Sequence, residues 1–304
     1  MKIVSEYARS ICNANSLKSL STLALAVIAM FCGSSPGWAA PLLGSALASF
    51  AVLGAAGVTN VPTSTIGGNL GSAPNGSVGG GYIFTSGSLQ ANIPLAQQAQ
   101  LELDAAILAV NAFGPGTLIT GGDLDAYQAL NGGIIGPGTY TLPSAPINLA
   151  GTLFLDGGGS NTSVWNFLAT STLITSTISN VFVQNVGDGS GVGIYWTVGS
   201  AATLNGPTFA GNVLAHDLIS SDGNLTISCG RLLSAETQVT LNQDAISIGC
   251  TGTGFESSGG FDQGANIGSG GTGGSNGQTV PEPATLALLG LGLAGLGFVR
   301  RRHG

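Results

Sequence analysis

The chain has 304 residues, of which 43% are apolar and only 7% charged, with 51 glycines and a formal net charge of -7. So little charge excludes a nucleic-acid binder, which needs a basic face to displace counterions. An apolar content this high with so few charges also excludes a disordered chain.

The first element is an export signal. Lys2, Arg9 and Lys18 precede an apolar stretch, Leu20 to Cys32, and Gly37-Trp38-Ala39 supplies the small residues a signal peptidase reads. Residues 1–39 are expected to leave as a signal peptide, with cleavage near Ala39 or Ala40. With Arg300, Arg301 and Arg302 at the far end, Arg231 is the one Lys or Arg of the body between residues 40 and 280. Its carboxylates are also sparse: Glu102, Asp104, Asp123, Asp125, Asp156, Asp188, Asp217, Asp222, Glu236, Asp244, Glu256 and Asp262.

From Ala46 to about Cys250 the chain reads as short strands with one exception. Asn92 as cap, Pro94 in the first turn and Gly114-Pro115 as stop frame a helix over about 94–112. Leu95, Ala99, Leu103, Ala106, Ile107 and Val110 give it an apolar face. The rest alternates with period two, as in Thr152-Leu153-Phe154-Leu155 and Ile194-Tyr195-Trp196-Thr197. A longer period follows. Gly193-Ile194-Tyr195-Trp196, Gly211-Asn212-Val213-Leu214 and Gly230-Arg231-Leu232-Leu233 recur every 18 or 19 residues. Thr208-Phe209-Ala210, Thr226-Ile227-Ser228 and Ala245-Ile246-Ser247 recur at the same interval. That length suits one coil of a parallel β-solenoid and is too short for a propeller blade. Phe209, Ile227 and Ile246 then point inward. Thr208, Thr226, Ala245, Ala210, Ser228 and Ser247 point outward, and Phe154 faces out on another rung. Cys12 and Cys32 leave with the signal peptide, so Cys229 and Cys250, one coil apart, are expected to form a disulfide in an oxidising compartment. Such a bridge is worth about 3 kcal/mol in the chain-entropy model.

After Cys250 composition changes to Gly and Ser, and residues 251–279 are expected to be a flexible linker. The tail, 280–304, opens with Val280-Pro281-Glu282-Pro283-Ala284, continues as an apolar run from Thr285 to Val299 and closes with Arg300, Arg301 and Arg302. A helix of about 15 residues is roughly 22 Å long and spans a ~30 Å hydrocarbon core only marginally, with arginines snorkelling to the cytoplasmic headgroups. This three-part order resembles the PEP-CTERM sorting tail. The resemblance implies a sorting protease of exosortase type, a transient inner-membrane anchor, and release to the cell surface or extracellular matrix of a Gram-negative bacterium.

The body also carries a resemblance. Gly136-Pro137-Gly138-Thr139-Tyr140, Leu149-Ala150-Gly151-Thr152-Leu153-Phe154-Leu155-Asp156-Gly157, Tyr195-Trp196-Thr197-Val198-Gly199-Ser200, Thr208-Phe209-Ala210-Gly211 and Gly230-Arg231-Leu232-Leu233-Ser234 form an ordered series across about residues 46–248. Together they resemble the ice-binding-like family of bacterial and fungal antifreeze proteins. The resemblance implies an all-β fold, an irregular right-handed parallel β-solenoid of triangular section with one α-helix alongside, over residues 40–250.

Enzyme chemistry finds little support. Asp123 and Asp125 sit in a Gly-rich turn and suit helix capping or solvation. His216 and Asp217, as neighbours on a strand, would point to opposite faces. Arg231 reads as a structural corner residue, and Gly187-Asp188-Gly189-Ser190-Gly191 is a single copy where a calcium roll needs many. No cofactor, metal site or catalytic residue is expected. Ice presents a flat lattice without charge, so a binder needs a rigid face of weakly polar groups at regular spacing. Thr208, Thr226, Ser228 and Ser247 are the candidate ice-binding face, with the ice crystal surface as partner. The alternative is a non-enzymatic adhesin or matrix protein with exopolysaccharide as partner. The sequence departs from stronger antifreezes in lacking a run of Thr-Ala/Gly-x-Thr/Asn tetrads.

Overall fold

Short apolar-alternating segments punctuated by glycine and asparagine suit strands joined by tight corners. In the computed structural model, which describes residues 42–143, 146–250 and 254–264, every pairing between named strands is parallel. The strands fall into three ladders. Ladder a contains Phe50–Gly54, Asn69–Ser72, Leu89–Ala91, Thr117–Leu118, Gly138–Leu142, Val164–Ala169, Gly193–Val198 and the later parts of Thr208–Ala215 and Thr226–Ser234. Ladder b is a sheet of its own: Gly57–Val61, Ile147–Leu149, Leu173–Thr175, Ala202–Leu204, Ile219–Ser221 and Gln238–Asn242. Ladder c contains Ser64–Gly67, Tyr82–Ser86, Thr152–Asp156, Asn180–Gln184, Ala245–Ser247 and the opening residues of the two long strands. The chain visits a, b and c in turn, so the architecture is a β-helix.

The coils do not stack in sequence order. Phe50–Gly54 pairs with Thr226–Ser234, Gly57–Val61 with Gln238–Asn242, and Ser64–Gly67 with Ala245–Ser247. The first coil therefore docks on the last. A further coil through Tyr82–Ser86 stacks outside it. An 18-residue helix, Pro94–Asn111, roughly 27 Å long, then packs over ladder a, and the chain resumes coiling at Thr117–Leu118 on the other end.

Two cores result. Inside the coils, Tyr140, Phe167 and Trp196 stack with ring centroids 5.4 and 3.9 Å apart. The indoles of Trp165 and Trp196 donate to the carbonyls of Ile135 (3.1 Å) and Ala210 (3.0 Å), so these large rings are buried without an orphaned N–H. Outside ladder a, Leu53, Leu168, Tyr195, Leu214 and Leu233 meet Ala96, Ala99, Leu103, Ala106 and Val110 of the helix. The alanines let the helix axis approach the sheet closely.

Several expectations need correction. Asn92 does not cap the long helix; Ile93 holds that position without a side-chain bond, and Asn92 instead receives Gln97 Nε2. Leu95 is exposed and Ile107 half-buried, because the helix turns Ala96 rather than Leu95 toward the sheet. The long helix is not alone: Leu124–Leu130 forms a second and Ser45–Ala48 a single turn. Tyr195 pairs with Asn212, so Ile194, not Gly193, stands beside Gly211, and the first repeat is aligned one residue differently from the sequence pattern. Gly211 and Gly230 do pair. Gly211 (φ +98°) bends the chain from c into a, and a Cβ there would meet Ile194 Cγ2 at 2.5 Å. Finally, residues 254–264 are not a free linker. Phe261 is fully buried, and its carbonyl accepts from Ile194 N (3.0 Å) and Asn212 Nδ2 (2.8 Å).

Candidate functional site

Ladder b builds the most regular outer surface. Each rung is short, with buried residues flanking one outward position, as in Ile147-Asn148-Leu149, Leu173-Ile174-Thr175, Ala202-Thr203-Leu204 and Val239-Thr240-Leu241. Leu, Ile and Val fix the rung against the core, and the residue between them has nowhere to go but out. Register then aligns Asn148, Ile174, Thr203, Ser220, Thr240 and Thr59 in one column. Four successive rungs carry hydroxyls. Thr59 Oγ1 donates to Thr240 Oγ1 at 3.1 Å, and Ser220 Oγ approaches Thr203 Oγ1 at 3.5 Å. No charged residue stands in the column. Beneath its corner, the Asp244 carboxylate accepts from Ser221 Oγ, Leu225 N (3.0 Å) and Asn242 N (2.9 Å), tying two rungs together. Burial pushes that carboxyl above its ordinary pKa against the pull of the three donors.

Ladder c places the expected row partly as read. Thr208, Thr226, Ala245 and Thr65 align in one column, and Ser247 stands beside Gly67 in a second. Phe209, Ile227 and Ile246 point inward. Thr226 is exposed, and Thr208, Ser228 and Ser247 are half-buried. Ala210, expected outside, is buried; Phe255 joins it in the wall of a shallow cleft with Phe182 and Thr208. The Ser247 hydroxyl is engaged by Gly249, accepting from its N–H at 2.9 Å. At one end Phe154 and Phe182 stack outward at 6.0 Å, and at the other Ile83 follows Thr65. The Thr208 column itself continues through Asn180 and Thr152 on the rungs that carry those rings, and at the other end it stops at Ile83.

The sequence reading missed Thr59, Thr203, Ser220 and Thr240. Thr203 and Thr240 lie between inward apolar residues and Ser220 between Ile219 and Ser221, at intervals of 17 and 20 residues, a signal blurred by corners of unequal length. Thr59 comes 181 residues before its neighbour Thr240, and no local period could reveal it.

The other singled-out residues do structural work. Cys229 and Cys250 are joined as a disulfide, Cα atoms 4.6 Å apart. Arg231 is structural, as read: it is fully buried and donates to Asn212 Oδ1 (2.8 Å) and to the carbonyls of Gly259 (2.8 Å), Gly260 (3.0 Å) and Ala48 (2.6 Å), with Asp262 Oδ2 at 3.4 Å. Burial lowers its pKa, and the Asp262 charge opposes that shift. Asp123 caps the second helix through Ala126 N at 2.8 Å. His216 Nδ1 does reach Asp217 Oδ1, at 3.2 Å, because the pair lies in a turn rather than on a strand. Ser200 Oγ bonds the other oxygen of the same carboxylate, not the imidazole, so no base faces that hydroxyl. Among the described residues no group of His, Cys, Asp and Glu could hold a metal. Pro281, Glu282, Pro283 and Arg300 to Arg302 lie outside the described residues.

Comparison with known proteins places the fold. Residues 52–247 match the ice-binding-like family. The chain belongs to that family. The ice-binding-like domain accounts for all three ladders, and residues 279–302 match the PEP-CTERM protein-sorting motif. An ice-binding protein of Nostoc sp. (strain HG1) is 31% identical over 86% of this chain and 87% of its own length. The crystal structure of an ice-binding protein from the Antarctic ascomycete Antarctomyces psychrotrophicus shares 31% identity with a TM-score of 0.56, covering 67% of this chain and 96% of that one. That of an ice-binding protein from an Antarctic biological consortium gives 27% and 0.59, covering 68% and 90%.

Proposed function

We propose that this is an exported ice-binding protein, an antifreeze or inhibitor of ice recrystallisation, and that ladder b is its ice-contacting face. The observation that carries this reading is the unbroken outward column Asn148, Ile174, Thr203, Ser220, Thr240 and Thr59 on a single six-stranded parallel sheet. Rungs ~4.8 Å apart repeat the hydroxyls at constant spacing. Each hydroxyl sits beside a methyl or methylene, a combination that orders water weakly, whereas a charge would hold a liquid-like shell. The scaffold fixes the side chains in advance, so little entropy is lost on contact, and affinity accumulates from many small interactions. The row Thr208, Thr226, Ser228 and Ser247 on ladder c is the competing surface; its column runs on through Asn180 and Thr152, but Ala245 interrupts its hydroxyls and the rings of Phe154 and Phe182 stand beside it.

The three ladders support a right-handed solenoid of triangular section, and the packed strap extends the domain from about residue 40 to 264. Function is carried by a surface, without catalysis, cofactor or metal. The Pro-Glu-Pro motif and terminal arginines support sorting by an exosortase-type protease after signal-peptidase cleavage and a transient stay in the inner membrane, ending at the cell surface or in the extracellular matrix.

The deciding experiment is microscopy of purified mature protein in a freezing droplet. Wild type is expected to facet growing crystals at micromolar concentration. Thr240→Tyr should abolish faceting by lifting the face off the lattice, while Thr226→Tyr should retain it; the reverse pattern moves the site to ladder c, and no faceting by wild type rejects the function.

A further inference from the structure

The two ends of the β-helix are finished differently. At the end where coiling resumes, the helix Leu124–Leu130 closes the rim. Asp125 accepts from Ala150 N (2.7 Å) and Gly151 N (3.1 Å). Gln128 bonds Thr152 O (2.8 Å) and Phe154 N (2.6 Å), standing in for a neighbouring strand along Thr152–Asp156. At the opposite end Tyr82–Ser86 is the terminal strand of ladder c, pairing with Ser64–Gly67 alone among the described strands. Apolar side chains stand at this end beside the exposed Thr85 and Ser86. Ile83 is 57% exposed and Leu89 49%, and the rings of Tyr82 and Phe84, 6.3 Å apart, lie half-buried against the end of the core. From residue 42 through 101 the sequence contains no Asp, Glu, Lys, Arg or His. Natural edge strands are usually guarded by charge, proline or a covering element. Tyr82–Ser86 has none of these among the described residues.

We propose that this end is an interface between two copies of the chain, with Tyr82–Ser86 of one protomer pairing antiparallel with the same strand of its partner about a two-fold axis. In a two-fold contact a charge near the axis meets its own copy, and a rim free of charge avoids that repulsion. The molecule already relies on rung-on-rung docking between distant segments, since Phe50–Gly54 and Ser64–Gly67 stack on a coil some 180 residues later in the chain. A second copy adds a rung at this open edge, antiparallel where the internal ones are parallel, satisfies the outer N–H and C=O groups of the edge strand and buries Ile83, Tyr82 and Phe84. This inference does not depend on what ladder b binds. If both hold, a dimer carries two hydroxyl columns and gains avidity for an extended surface.

Sedimentation equilibrium of the mature exported protein over about 1 to 100 µM tests it, a range matched to interfaces of micromolar affinity. A reversible species of twice the protomer mass is expected. Ile83→Lys, which places a charge on an outward side chain, should be monomeric throughout with an unchanged thermal melt. Hydrogen exchange at residues 82–86 should slow as wild type dimerises and stay fast in the variant. Three results overturn the proposal: a wild type monomeric over the whole range, a variant that still dimerises, or protection of residues 82–86 already complete in the wild-type monomer. The last would mean that another part of the same chain covers the strand.

Discussion

Arg231 shows how one residue joins segments far apart in the chain. Its guanidinium reaches Ala48 near the start of the domain, Asn212 on the adjacent rung, and Gly259, Gly260 and Asp262 in the strap after the last coil. Tyr195 assists from within the same corner: its fully buried hydroxyl, held neutral by a pKa well above 10, donates to Gln263 O at 3.1 Å. Removing a buried cation from such a network leaves its acceptors unsatisfied, at a cost of about 3 to 5 kcal/mol. Arg231→Met, which keeps the volume, should therefore lower the urea midpoint sharply. Asp262→Asn should cost clearly less, because the guanidinium keeps its carbonyl partners and the carboxylate lies at the rim at 3.4 Å. Equal losses in the two variants would show that the ion pair, rather than the carbonyl cage, holds the strap. The structural role is legible in sequence, since an isolated arginine in a glycine motif reads as a structural corner; its partners are not, being small or backbone groups without a signature. The Cys229 and Cys250 pair was legible by contrast, since the compartment and a one-coil separation both point to it.

At the scale of elements, the long helix was readable because its buried positions recur at helical spacing, yet its face was drawn one residue off at the start. Leu95 satisfies the pattern as well as Ala96 does, and only the sheet decides between them by admitting a small side chain close in. The strand repeats met the same limit. Gly211 and Gly230 align as read, but Gly193 sits one residue out of register with Gly211, and a slip of one exchanges inner and outer faces. Trp196 therefore shares the inner core with Val213, while Leu214 faces the helix. The helix in turn is held by few large groups, and Leu103 is the largest of its buried contacts. Leu103→Ala should destabilise the domain by about 2 to 5 kcal/mol, the range for deleting a buried leucine. Leu108→Ala, at a position 72% exposed, should change the same denaturation curve little. Near-equal effects would mean that the helix does not pack on ladder a through its alanine-rich side.

At the scale of the whole molecule, local order in sequence does not give order in space. The first coil lies against the last, so Thr59 completes a column whose other hydroxyls come 144 or more residues later in the chain; a reader of repeats sees only the run from Thr208 to Ser247. The fold class was legible from that run, and the surface that ladder b presents was not. Past the strap, function passes to a segment with its own chemistry. Residues 279–302 match the sorting motif, and the apolar run from Thr285 to Val299 is followed by three arginines. In the topology proposed above the arginines stay on the cytoplasmic side, and the Pro-Glu-Pro motif lies on the far side of the membrane within reach of a sorting protease. Glu282 is the one charge in the motif and the group best placed to be recognised. Glu282→Ala should leave an uncleaved form in the inner-membrane fraction, larger on an immunoblot than the processed parent. The coil contacts and those of residues 254–264 described above lie within residues 42–264, so the retained form should melt at the same temperature as the released one. A variant cleaved and released like the parent would show that recognition does not run through Glu282, whereas retention with a lowered melting temperature would point to misfolding before sorting.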